Sequence, residues 1–223
     1  DAGCGSGRYS VALSLHGAKC INAIDISESG LAEAKNRAKN FRNITFSKAS
    51  VLDLPFEDAK FDFVWSAGVI HHTLDFDRAL SELTRVVKTN GKLFLLIYGS
   101  GGLRWKAIKS MRLIVQELAF DFLDKAVGKT GLPENNRKHF LDDLFVPIQK
   151  LTTYSEIKQK LTALNFKKIE RWTGNTFDQE NNVDTLLEDL EKLHLIAEKC
   201  LAISKTAKQK YLSSLMLQIS SSY

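Results

Sequence analysis

Apolar residues along this chain recur at two alternating periods. Over residues 1–98, short apolar runs of strand length alternate with stretches whose apolar positions return every third or fourth residue. Arg8–His16, after a glycine turn, reads as a helix, and Ala18–Ile26 as a short strand ending near Asp25. Ser27–Phe41 reads as a helix with Ser27 or Ser29 as N-cap and Leu31, Ala34 and Ala38 on one face. Ile44–Ser47 and Phe61–Ser66 read as strands. Phe76–Lys88 reads as a helix with Ala79, Leu80, Leu83, Val86 and Val87 on its apolar side. Asn90-Gly91 is a turn and Leu93–Tyr98 a buried strand. This rhythm predicts an α/β fold, a mostly parallel sheet with helices on both faces.

The rhythm breaks over residues 99–150. Leu103–Val127 reads as one or two helices, and Gly128–Pro147 as loop with some helix near Asn136–Leu144. Thr153–Leu164 then reads as a helix and Phe166–Trp172 as a strand. Val183–Ser204 is strongly amphipathic through a stripe from Leu186 to Leu201, and Thr206–Ser220 is a last helix. The expected organisation is an α/β core at 1–98, a helical insertion at 99–150, a return to the core at 151–175 and a C-terminal helical extension at 176–223.

The chain has 223 residues, enough for one sizeable core. No apolar run approaches the roughly 18–20 residues that a transmembrane helix needs. Three cysteines, Cys4, Cys20 and Cys200, have neither zinc spacing nor a disulfide pattern, so no metal site and a cytoplasmic location are expected. The net charge of +5 leaves a nucleic-acid partner open, but the lysines are scattered, which favours a solvated basic surface.

The strongest local signal is Asp1-Ala2-Gly3-Cys4-Gly5-Ser6-Gly7. Alternating glycines let a strand turn sharply into a helix and let a ligand approach the backbone. A dinucleotide loop uses G-x-G-x-x-G to set a pyrophosphate on a helix N-terminus. Here the spacing is G-x-G-x-G, with an acid two residues ahead that would repel a pyrophosphate and suits a cationic amino group. A second acid, Asp25, ends the next strand, where a carboxylate accepts both hydroxyls of a ribose. Together these features fit an adenosyl ligand with an amino-acid tail. A nicotinamide oxidoreductase is disfavoured by the loop spacing.

Five segments carry a family resemblance in order: DAGCGSG (1–7), AIDIS (23–27), ASVLDLPF (49–56), FDFVWSAGVIHH (61–72) and ALSELTRVVKTNGKLFLLIY (79–98). Together they resemble the class I S-adenosylmethionine-dependent methyltransferases, within the small-molecule group often called type 11. The resemblance implies a Rossmann-like, doubly wound sheet and S-adenosylmethionine as cofactor. It implies that the loop from Asp1 through Gly3, Cys4, Gly5 and Gly7 holds the methionine and ribose parts, with Asp1 facing the methionyl ammonium. It places Asp25 on the ribose hydroxyls, Ile26 on the adenine, Ser50 and Val51 at the adenine edge, and Ser66, Ala67 and Gly68 on the methionyl side. The chain departs from the family pattern at Ser50, often an acid, and at Thr89-Asn90-Gly91, commonly Pro-Gly-Gly. It also lacks the apolar half of the first strand, so a segment upstream of Asp1 is expected.

Methyl transfer needs a nucleophile held in line with the methyl–sulfur bond, about 3–3.5 Å from the carbon, with water excluded. His71 and His72 are the candidate proton acceptors, since histidine titrates near neutrality. Adjacent histidines at a strand end also serve as mere packing residues. Asp75 is a candidate to orient one of them, and Tyr98, Arg104, Trp105 and Arg112 to face a substrate, with core packing the stronger reading for Trp105. No Asn/Asp-Pro-Pro-aromatic segment follows the fourth strand, which argues against methylation of adenine or glutamine amino groups. The leading expectation is a small-molecule methyltransferase acting on oxygen, carbon or nitrogen. A tRNA or protein methyltransferase and a non-catalytic cofactor-binding module are the alternatives.

Overall fold

The computed structural model describes residues 1–100, 102–115, 118–128 and 134–171, with residues 209 and 213. The chain divides into two compact units, one of Asp1–Gly99 with Ile148–Ile169 and one of Ser100–Pro147 with Glu170–Tyr223.

The first unit is the α/β part. Its elements are α1 (Arg8–Leu15), β1 (Ile21–Asp25), α2 (Glu28–Arg37), β2 (Ile44–Lys48), β3 (Phe61–Ala67), a 3₁₀ turn (Ile70–His72), α3 (Phe76–Arg85), β4 (Val87–Leu96) and α7 (Tyr154–Ala163). β1 pairs parallel with β2, and β3 parallel with β4. Asp1 and Ala2 join the two pairs. Ala2 bridges Ile24 in parallel, its N–H donates to Trp65 O at 2.8 Å, and Ile24 N donates to Asp1 O at 2.9 Å. The lateral order is therefore β2, β1, the Asp1-Ala2 segment, β3, β4.

Caps set the helix starts as the local chemistry predicts. Ser27 accepts from Gly30 N, Asp75 from Arg78 N, and Thr153 forms a capping box with Glu156. The predicted inward faces are buried, Leu31, Ala34 and Ala38 on and after α2 and Ala79, Leu80, Leu83 and Val86 on and after α3, except that Val87, expected on the second face, is half-buried in β4.

Three details differ from the pattern. The Asn90-Gly91 turn lies inside β4, not before it. The register jumps from Phe61↔Val87 to Phe63↔Lys92, so the residues between Val87 and Lys92 loop out with Asn90 at φ 65°. α3 ends at Arg85 because Val87 already pairs with β3. Residues 166–171 form no strand; Asn165, at φ 68°, ends the α7 turn, and the side chains of Phe166 and Ile169 pack on the core without a ladder. Bulky apolar residues specify burial, not a pairing partner.

The described part of the second unit is helical: α4 (Gly102–Val115), α5 (Phe120–Gly128) and α6 (Glu134–Phe145). Among its described residues, the buried apolar ones are Trp105, Ile108, Met111, Val115, Leu123, Val127, Leu141 and Leu144. α6 is longer than the loop-rich reading of residues 128–147 predicts. The expected stripe at Leu186–Leu201 and the last helix lie outside the described residues, apart from 209 and 213, and so does the Arg104 side chain. No described helix is long and apolar enough to cross a membrane.

Candidate functional site

Asp1 and Ala2 leave the sheet at the glycine loop. Gly3 N and Cys4 N both donate to Ile24 O at 2.9 Å, which pins the turn to β1. Gly3, Gly5 and Gly7 sit at φ 81°, 51° and 76°, the left-handed region that only glycine enters without strain. Their surroundings differ. A Cβ on Gly3 would lie 2.3 Å from Val69 Cγ2, and one on Gly7 2.8 Å from Ala34 Cβ, whereas one on Gly5 would meet nothing within 4 Å. Gly3 and Gly7 thus serve close packing of the protein, and Gly5 faces open space.

Asp25 closes the loop. Its Oδ2 accepts the Gly5 N–H at 2.7 Å and its Oδ1 the Ser27 N–H at 2.8 Å. A carboxylate has about four acceptor sites, so each oxygen keeps one lone pair for a further donor. Asp1 is held from the other side, its Oδ2 accepting from the fully buried Ser10 Oγ at 2.5 Å. Cys4 is buried beneath the loop. Burial, helped by the nearby Asp25 charge, pushes its thiol up to about 11, so it stays protonated and is no nucleophile at neutral pH.

Around this loop the expected residues divide into open and engaged. Ile26 is 68% exposed although large and apolar, while Val51 is buried. Ser50 Oγ accepts from Leu52 N at 3.1 Å, so part of its capacity holds its own turn. Ser66 Oγ donates to Ala2 O at 3.1 Å, which ties β3 to the Asp1-Ala2 segment and engages that side chain in the sheet. Ala67 ends β3, and Gly68, at φ 77°, has open space where a Cβ would stand.

The two histidines are not equivalent. His72 Nδ1 lies 2.8 Å from Ile148 O, a carbonyl that only accepts. That contact puts the proton on Nδ1 and leaves the Nε2 lone pair. His71 is fully buried, its ring 4.0 Å from that of His72 and 4.1 Å from that of Tyr98. Burial, and then the neighbouring His72, pushes its pKa down to about 3. Two expected roles are not found. Asp75 caps α3 and orients no histidine in any contact observed. Arg112 donates to Asp143 O and Val146 O at the end of α6, so its guanidinium serves the helical unit. Trp105 is buried, in keeping with its core reading.

Some supporting residues give no sequence signal. Arg85 donates to Phe56 O, Leu54 O, Asp58 and Glu82, while Glu82 Oε2 accepts Leu54 N at 2.8 Å. This pair anchors the stretch that follows Ser50 and Val51, yet in sequence it is an ordinary i,i+3 pair. Arg85→Lys, which cannot fork across these acceptors, should cost about 1–2 kcal/mol in chemical denaturation. The hydrogen bond from Arg85 holds the Glu82 carboxyl below its ordinary 4.5. Its stabilising contribution is therefore complete above that value and is lost as pH falls below it. Glu82→Gln should flatten the acid side of the stability curve, and an unchanged acid limb would refute the assignment.

Comparison with known proteins adds the following. Residues 1–95 match the family model described as a methyltransferase domain. The chain is 31% identical over 146 residues to 27-O-demethylrifamycin SV methyltransferase of Amycolatopsis mediterranei, covering 60% of this chain and 54% of the relative. It is 36% identical over 101 residues to 2-phytyl-1,4-naphtoquinone methyltransferase of Nostoc, covering 43% and 44%. The chain thus spans about half the length of these curated relatives. Among solved structures, YcgJ from Bacillus subtilis aligns with a TM-score of 0.56 at 18% identity, over 94% of this chain and 79% of that one. Phosphoethanolamine N-methyltransferase 2 from Haemonchus contortus, in complex with S-adenosyl-L-methionine, aligns at 0.55 and 21%, over 99% and 44%. These likenesses identify the fold.

Proposed function

We propose that the protein is a class I methyltransferase that transfers a methyl group from S-adenosylmethionine to an oxygen, carbon or nitrogen atom of a small molecule, a reading supported by the match of residues 1–95 to the methyltransferase-domain model. The observation that carries this reading is the Asp25 carboxylate, which closes the glycine loop and retains an acceptor site on each oxygen.

The residues present suit the cofactor. Gly5 offers open space beside the loop, the free acceptor sites of Asp25 match two ribose hydroxyls, and the exposed Ile26 would be covered by an adenine face. Asp1, steadied by Ser10, suits the methionyl ammonium. Ser50 and Val51 would border the adenine, and Ala67, Gly68 and the Ser66 backbone the methionine. When bound, the cofactor supplies a methyl group already activated on a sulfonium. The protein's remaining task is to orient the acceptor, exclude water and take a proton where the acceptor carries one. We assign that last role to His72, whose Nε2 lone pair is free once Nδ1–H is engaged by Ile148 O.

A small-molecule acceptor is supported by the relatives named above, each called after such a substrate. A cytoplasmic location is in keeping with the free thiols of Cys4 and Cys20. The test is incubation with methyl-labelled cofactor and fractionated cell extract. Label in the small-molecule fraction supports the reading, and label confined to RNA or protein would replace it with the macromolecular alternative. For a hydroxyl acceptor, His72→Ala should lower turnover by about 10²–10⁴-fold while leaving S-adenosylhomocysteine binding intact. Full turnover in that variant would move the proton acceptor elsewhere.

A further inference from the structure

Residues 148–152 run beside the 3₁₀ turn and the end of β4. Lys150 N donates to His71 O at 2.8 Å, Thr152 N donates to Tyr98 O at 3.3 Å, and Thr152 bridges Gly99 in parallel. The backbone of this segment is thus well used, but two of its buried polar side-chain atoms are not. Among the described residues, His71 Nδ1 and Nε2, Gln149 Nε2 and Thr152 Oγ1 are buried without a hydrogen-bond partner. His71 is 0% and Thr152 4% exposed. A buried polar atom left unpaired is costly, and native proteins keep few of them. Three such residues fall within one stretch tied together by backbone hydrogen bonds, next to the assigned proton acceptor.

We propose that His71, Gln149 and Thr152 form a polar subsite for a neutral oxygen group of the methyl acceptor, a carbonyl adjoining a hydroxyl. The proposal rests on the methyltransferase reading and names the class of substrate that reading leaves open.

The chemistry of the set points to this class. Gln149 Nε2 only donates, so it calls for an acceptor such as a carbonyl oxygen. Thr152 Oγ1 and a neutral imidazole each donate or accept, which suits either oxygen of a hydroxy-carbonyl pair. No cation belongs to the set. Burial keeps the His71 ring neutral at physiological pH. Lys150, the lysine of the segment, has its Nζ 5.0 Å from the centre of the Phe76 ring and 3.9 Å from Asp77 Oδ2. A carboxylate or phosphate placed among these neutral groups would be buried without a countercharge.

The test uses the full chain loaded with S-adenosylhomocysteine. It is titrated with 2-hydroxyacetophenone and, separately, with its anionic counterpart salicylate, followed by NMR of the histidine ring nitrogens. The neutral probe should bind at least ten-fold more tightly and shift the His71 ring signals. The double variant Thr152→Val, Gln149→Met should lose that binding ten-fold or more and melt at or above the parent temperature, since unpaired polar atoms give way to apolar ones of similar shape. It should bind S-adenosylhomocysteine as the parent does. Equal or tighter binding of salicylate, unchanged affinity in the double variant, or a lowered melting temperature would each overturn the subsite. In those cases intact S-adenosylhomocysteine binding leaves the methyltransferase reading standing, whereas its absence in the parent protein overturns both.

Discussion

Asp25→Ala should weaken S-adenosylhomocysteine binding by about 100-fold, measured by calorimetry. A hydrogen bond to a charged group contributes about 1.5–3 kcal/mol, so losing two ribose contacts costs on the order of 3 kcal/mol, or two powers of ten in affinity. The variant also releases the Gly5 and Ser27 amides that the carboxylate now holds. The loop then has to be ordered by the ligand itself, which adds to the loss. Asp25→Asn should fall between the two proteins, because one amide oxygen still accepts while the NH₂ group faces a donor. Parent-like affinity in Asp25→Ala would show that the ribose is held elsewhere.

Gly3→Ala should be strongly destabilising. At φ 81° an alanine is strained, and its Cβ would lie 2.3 and 2.6 Å from the two methyl carbons of Val69. The left-handed conformation costs about 1–2 kcal/mol and overpacking another 1–3 kcal/mol. The sum of about 2–5 kcal/mol corresponds to a fall of very roughly 5–20 °C in Tm for a chain of this size. Gly5→Ala is the internal control. Its φ of 51° is comparable, but its Cβ meets nothing within 4 Å. It should lose only the conformational part of the stability, about 1–2 kcal/mol, and show a loss of cofactor affinity out of proportion to that. If both variants melted alike and bound alike, the division of the loop into packing and ligand-facing glycines would be wrong.

Much of the framework is legible because its causes are local. Ser27 announces a helix start through a side chain that accepts the backbone amide three residues on. The spacing of Leu31, Ala34 and Ala38 fixes a buried face without reference to any partner. The loop and its two acids are legible for the same reason, since turn, strand end and charge all lie within a few residues.

What stays hidden depends on contacts across the chain. The different characters of His71 and His72 arise from burial of the first and from the contact of the second with Ile148, 76 residues further along the chain. No local pattern marks that segment as their neighbour. Asp75 is misread for the converse reason: its closeness to the histidines in sequence suggests a role that capping α3 already takes. Arg112 is an exposed helical cation by pattern, and only the fold brings it to the carbonyls ending α6. Phe166–Trp172 carries bulky apolar residues that read as a strand, but residues 166–171 find no ladder to join.

The most direct measurement is calorimetric titration of the purified protein with S-adenosylhomocysteine, followed by displacement with S-adenosylmethionine. The account predicts one saturable site per chain that both compounds share and that a nicotinamide dinucleotide does not enter. No heat and no displacement at millimolar ligand, or preferential uptake of the dinucleotide, would contradict it.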